Sequence, residues 1–255
     1  MSDPLPQPST EATPADRPPI SDVPWNIGDA LLVIGIWLLT GFFVGGAMLI
    51  GLQQLFPEME AQALSLPITL LIMIAVSVGY VQQRYPGAAG RLLGPAARSW
   101  QALGWGVLAG IFALLVFAVG LGTVLELLAR LTRGTLPEVQ ETFRDIAADR
   151  SAAPVLVFGS VLVAPLAEEL CFRGLLFSAL RKRFPLWPAM GLSGLAFGLT
   201  HVQTTLDGYL LVLLIVMPLG MFLAFTYERS RTLLVPITAH AVFNLVQVAL
   251  LIRQG

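Results

Sequence analysis

Charge is scarce in this sequence. Of 255 residues only 12% are Asp, Glu, Lys or Arg, while 56% are apolar. An average soluble domain carries about 25% charged residues, and so few charges cannot cover the surface of a soluble globule of this length. The 15 basic and 16 acidic side chains nearly cancel, to a net charge of −1. There is therefore no basic excess to bind nucleic acid or to cling to an anionic surface. Cys171 is the one cysteine, which excludes a disulfide framework and a Cys-based zinc site. Histidine occurs only at 201 and 240, and asparagine only at 26 and 244. What is left is an integral membrane protein whose few polar side chains must be accounted for individually.

Residues 1–24 hold seven prolines among Ser, Thr, Asp and Glu. Such a segment buries too little surface to offset its ordering entropy and reads as a disordered cytoplasmic tail. It lacks the basic start and apolar run of a signal peptide, so the first apolar stretch is expected to stay as an anchor. A hydrocarbon core about 30 Å thick needs ~20 apolar residues per helix. Seven stretches approach that: Ala30–Phe56, Leu64–Tyr80, Ala102–Leu128, Pro154–Leu180, Trp187–Val202, Tyr209–Tyr227 and Leu233–Ile252. The fold class is all-α, a polytopic transmembrane helical bundle of seven or eight spans. Residues 25–150 form its first part, and 151–255 a C-terminal core of four helices. The charged segment 130–150 carries Leu131, Leu136, Val139, Phe143 and Ile146 in a loosely helical pattern, as an interfacial helix would.

Basic residues flanking the spans set the expected orientation. Arg17, Arg84, Arg91, Arg98, Arg181, Lys182, Arg183, Arg229 and Arg231 fall on one side. Arg130, Arg133, Arg144, Arg150 and Arg253 fall on the other. The bias places the amino terminus in the cytoplasm. The spacings Gly41–Gly45, Gly106–Gly110 and Gly194–Gly198 read as close helix packing by small residues.

Ionisable groups inside a span cost a few kcal/mol or more each (on the order of 3 by insertion scales), so each is a functional candidate. Glu169 and Arg173 are four apart, in the favourable order for an ion pair on one helix face. Glu168 points about 100° away and is left free for acid–base work. Phe197-Gly198-Leu199-Thr200-His201 closes the fifth stretch and sets His201 roughly 20 Å into the bilayer. His240 and Asn244 share one face of the seventh. Singly, each of these fits a structural role. Together, both histidines, one of two asparagines and the only adjacent carboxylates lie on three spans at similar depth, as a water-containing hydrolytic site requires.

Glu168-Glu169-xxx-Arg173, Phe197-xxx-His201 and His240-xxx-Asn244 resemble, in order and complete, the three motifs of the CAAX protease and bacteriocin-processing (CPBP, or Abi) intramembrane endopeptidases, which include the type II CAAX prenyl endopeptidases. The resemblance covers residues 154–252. It implies a helical core that cleaves peptide bonds of a membrane-associated protein or peptide near the cytoplasmic side of the bilayer. It further implies that Glu168 and His201 activate water and that His240 and Asn244 stabilise the oxyanion, with Glu169, Arg173 and Phe197 in support. A metal-free mechanism is the favoured expectation. Zinc on Glu168, His201 and His240 is the alternative, although the sequence has no His-Glu-xx-His helix and Asn is a poor zinc ligand. The bilayer and a peptide substrate are the partners implied.

The same residues admit other classes. Gly191-Leu192-Ser193-Gly194 looks like the serine motif of rhomboid proteases, but on one helix Ser193 and His201 are about 12 Å apart, too far for a catalytic pair. A proton- or cation-coupled transporter could use the same carboxylates and imidazoles as a relay, but no inverted repeat supports it. A non-catalytic scaffold would have no need of complete motifs.

Overall fold

The computed structural model describes residues 19–95, 100–131, 134–137, 141–203 and 205–254. Among these there is no strand. The helical segments are α1 (Ile27–Leu52), α2 (Glu58–Arg84), α3 (Trp100–Leu131), α4 (Glu141–Ala148), α5 (Ala153–Leu180), α6 (Leu186–Leu199), α7 (Leu206–Ser230) and α8 (Leu234–Gln254). Six of them, all but α4 and α6, are long and apolar enough to cross a bilayer. The molecule is a polytopic helical bundle and an integral membrane protein.

Two boundaries read from the sequence are corrected. The fifth stretch, Trp187–Val202, ends its helix at Leu199, and the 14 residues of α6 rise only ~20 Å. His201 to Gln203 are non-helical, so backbone leaves the helix at membrane depth. That is tolerated where the chain lines a cavity rather than lipid. The expected tail 1–24 also ends too late. Residues 1–18 lie outside the described residues, but Ile20 and Val23 are buried, as is Trp25. Trp25 Nε1 donates to Ser178 Oγ at 3.0 Å, and Lys182 Nζ donates to the carbonyls of Val23 and Trp25 at 3.0 and 2.9 Å. Arg17, Arg98 and Arg133 of the charge count lie outside the described residues.

α1 begins at a capping box: Asn26 accepts from Asp29 N, and Asp29 accepts from Asn26 N. The Asp29 carboxylate also accepts from the Tyr80 and Tyr85 hydroxyls at 2.6 and 2.7 Å, which pins the start of α1 to the end of α2.

α5 is the central element. Its apolar window is 67% buried, against 11% for α3, which faces outward. α5 packs against α1, α2, α6 and α8. Two stretches of it, Gly159–Val163 and Leu170–Phe177, are wound in the wider i→i+5 register, a local widening that is frequent at functional sites. Pro165 gives the first of these its consequence. Ala164 N donates to Gly159 O, so the next donor in that register, for Ser160 O, would be the N–H that proline lacks. The Ser160 carbonyl is thereby released from the helix.

Small residues let the helices meet. A Cβ on Gly106 or Gly110 of α3 would lie 2.9 Å from Val235 O or 2.8 Å from Ala239 O of α8. One on Gly194 of α6 would lie 2.7 Å from Met217 O of α7. These are backbone contacts that cannot yield cheaply. Gly110→Ala is expected to lower stability by about 1–3 kcal/mol, read as the unfolding temperature in detergent, whereas Gly104→Ala, which meets nothing within 4 Å, should be neutral.

Candidate active site

α5 supplies the carboxylates. Glu169 and Arg173 are both fully buried and pair through Oε1 and Nη1 at 2.9 Å. Arg173 Nη2 donates to Gly220 O of α7 at 2.9 Å, and its guanidinium lies 4.5 Å from the centre of the Phe197 ring. These contacts offset the burial of the charge, although Arg173 Nε and Glu169 Oε2 remain without hydrogen-bond partners. Arg173 thus joins α5, α6 and α7 at one point.

Phe197 is the second junction. Its ring meets Phe172, His201 and His240 edge-on, with centroids 5.2, 4.7 and 5.8 Å away. Its backbone carbonyl faces His201 Nδ1 at 2.9 Å. A carbonyl only accepts, so Nδ1 carries a hydrogen, and in the neutral ring Nε2 is then the lone-pair nitrogen. The ring orientation is thus set by the turn that ends α6.

α8 brings the remaining pair. His240 Nδ1 lies 3.0 Å from Glu169 Oε1, the oxygen that Arg173 also binds. His240 Nε2 lies 3.7 Å from Glu168 Oε2. Asn244 Nδ2 donates at 2.8 Å to Ser160 O, the carbonyl released by Pro165. One amide hydrogen of Asn244 is used in this way and one remains. Glu168 Oε2 itself has no hydrogen-bond partner.

These groups open on a cavity of about 400 Å³. Glu168, His201, His240, Asn244, Ser160 and Phe197 line it, together with apolar side chains of α2, α7 and α8. Glu169 and Arg173 lie behind it. Glu141, Thr142 and Phe143 of α4 also line the cavity. The segment expected to be interfacial therefore supplies a wall of the site as well. Of the cavity residues, sequence reasoning had passed over Ser160, Gln203, Gln247 and the α4 wall. Pro165, inside an apolar run and three residues before Glu168, was the visible signal for the first.

Ser193 is not among the lining residues. It is fully buried and donates to Phe172 O at 3.2 Å, which makes it a packing hydroxyl between α6 and α5. Ser193→Ala is expected to lose about 1 kcal/mol of stability and no activity, measured on the same purified samples.

Zinc on Glu168, His201 and His240 does not fit this arrangement. Among the described residues no three His, Cys, Asp or Glu side chains are gathered to hold one ion.

Comparison with known proteins bears on the same stretch of chain. Residues 150–246 match the family model described as Type II CAAX prenyl endopeptidase Rce1-like. A protein of Bacillus subtilis (strain 168) named "Putative membrane peptidase YdiL" is 33% identical over 93 residues, 36% of this chain and 36% of that protein. The match thus spans about a third of the relative's length. No solved structure matches the chain significantly. The matched stretch includes Glu168, His201, His240 and Asn244, with the whole of α5, α6 and α7 and the part of α8 that carries His240 and Asn244. By sequence and by motif, then, the segment 150–246 is similar to the family described as Type II CAAX prenyl endopeptidase Rce1-like.

Proposed function

We propose that the chain is an intramembrane endopeptidase in which Glu168 and His201 activate a water molecule. The carrying observation is the unpartnered Glu168 Oε2 at a cavity that His201, His240 and Asn244 also line. Glu168 takes one proton of the water as the oxygen attacks the peptide carbonyl, and His201 accepts a hydrogen bond from it through Nε2. Glu168 then passes the proton to the departing amine. The oxyanion meets His240 Nε2–H and the second Asn244 amide hydrogen. Donors preset in a water-poor site are worth about 3–4 kcal/mol each. To donate from Nε2 while Nδ1–H is held by Glu169, the His240 ring carries both protons. Its charge then balances Glu168 as Arg173 balances Glu169.

The reaction is taken as metal-independent, so activity should survive exhaustive chelation of the purified protein. Loss on chelation, with recovery on adding zinc, would contradict this.

The site also has a side. Counting rise along α8 and α5 from the end that carries Arg181–Arg183 and Arg231, His240 lies ~9 Å down and Glu168 ~18 Å. The cavity's polar rim, Glu141 and Thr142, lies beyond, at the opposite end. With a cytoplasmic amino terminus, the orientation adopted here, the mouth faces outward, contrary to the cytoplasmic-side cleavage implied by the resemblance. A single cysteine at Thr142 labelled by a membrane-impermeant maleimide in intact cells would support the outward mouth; labelling only after lysis would reverse it.

The functional test is a comparison of membrane proteomes from wild type and a chromosomal Glu168→Gln strain. A precursor should accumulate in the variant, and its processed terminus should vanish. Identical sets of termini would overturn the assignment.

A further inference from the structure

Ser160 belongs to none of the three motifs, yet it is at odds with its surroundings. Its side chain is 6% exposed and its Oγ has no hydrogen-bond partner. A helical Ser or Thr in apolar surroundings ordinarily returns its hydroxyl to a carbonyl one turn back. This chain does so at Ser77 to Met73 O (3.0 Å), Thr226 to Leu223 O (2.8 Å) and Thr238 to Leu234 O (2.7 Å). A buried hydroxyl left unpaired is destabilising and calls for a reason.

Its place supplies one. Ser160 lines the cavity with Glu168, His201 and Asn244. Its own carbonyl receives the Asn244 amide at 2.8 Å, so the hydroxyl and the carboxamide are neighbours fixed to one residue. No carboxylate or imidazole accepts from the hydroxyl, so it is not an activated nucleophile. We infer that Ser160 Oγ–H is a further catalytic donor, which binds the oxyanion beside Asn244 and finds its partner only when that charge develops. The hydroxyl keeps its proton throughout, and no bond to Ser160 forms. The inference rests on the peptidase reading above.

Ser160→Ala tests it, because the variant retains the backbone carbonyl that holds Asn244. With the precursor found in the proteome comparison and purified protein in nanodiscs, kcat should fall about 10- to 100-fold. KM should stay within about twofold, as expected for an interaction made only in the transition state. The unfolding temperature should hold or rise, since a buried unpaired hydroxyl is removed. Ser160→Cys, a weak donor of similar size, should fall between. A kcat within about twofold of wild type, beside an inactive Glu168→Gln control, overturns the Ser160 assignment alone. A lowered unfolding temperature with a matching loss of kcat makes the residue structural and overturns it too. If Glu168→Gln cleaves at the wild-type rate, the peptidase reading fails and this inference falls with it.

Discussion

Glu168→Gln should abolish proteolysis and leave the protein folded. The change keeps the shape and removes the capacity to take a proton, an effect of about 10²- to 10⁴-fold on kcat for a positioned general base. Stability should change by no more than about 1 kcal/mol, because Oε2 makes no hydrogen bond and its approach to His240 is long, at 3.7 Å. Unfolding temperature and turnover, measured on one preparation, check both halves. A variant that is inactive because it is unfolded would not support the assignment.

Arg173→Met should do the reverse and act first on the fold. Arg173 is fully buried, holds Glu169 and Gly220 O, and covers Phe197. Its removal strands the Glu169 carboxylate in an apolar interior, which costs about 3–5 kcal/mol for a buried pair broken on one side. The double variant Glu169→Gln with Arg173→Met removes both charges and should recover most of that loss. Activity should not recover, because His240 Nδ1 then faces a neutral amide instead of the carboxylate that orients it. Thermal unfolding of wild type, single and double variants gives the coupling directly. Equal stabilities for the single and double variants would show that the stranded Glu169 charge is not what the loss of Arg173 costs.

Much of the site was legible because polar residues are so rare in the spans. Glu169 and Arg173 could be paired by i, i+4 spacing alone, and the structure sets them 2.9 Å apart. The same spacing left Glu168 without a partner on its own helix, and its Oε2 makes no hydrogen bond, with only His240 Nε2 nearby at 3.7 Å. The link between His240 and Glu169 was not legible, because it joins residues 71 apart on different helices. Nor was the use of Asn244. An oxyanion role says nothing of Ser160 O, and that bond exists only because α5 widens ahead of Pro165. Hydropathy located the long helices well. It overran α6, where Thr200–Val202 keep the composition of a span while the backbone has already turned into the cavity. It also could not show that Ile20 and Val23, set among prolines, are buried beside Trp25.

The central claim is that hydrolysis depends on the Glu168 carboxylate. The most direct measurement uses the accumulated precursor and purified protein in nanodiscs, wild type against Glu168→Gln, with single-turnover cleavage followed by mass spectrometry. The account predicts cleavage at one defined bond by the wild type, and less than about 10% by the variant over about ten wild-type half-times. Cleavage of the same bond by Glu168→Gln at the wild-type rate would contradict it.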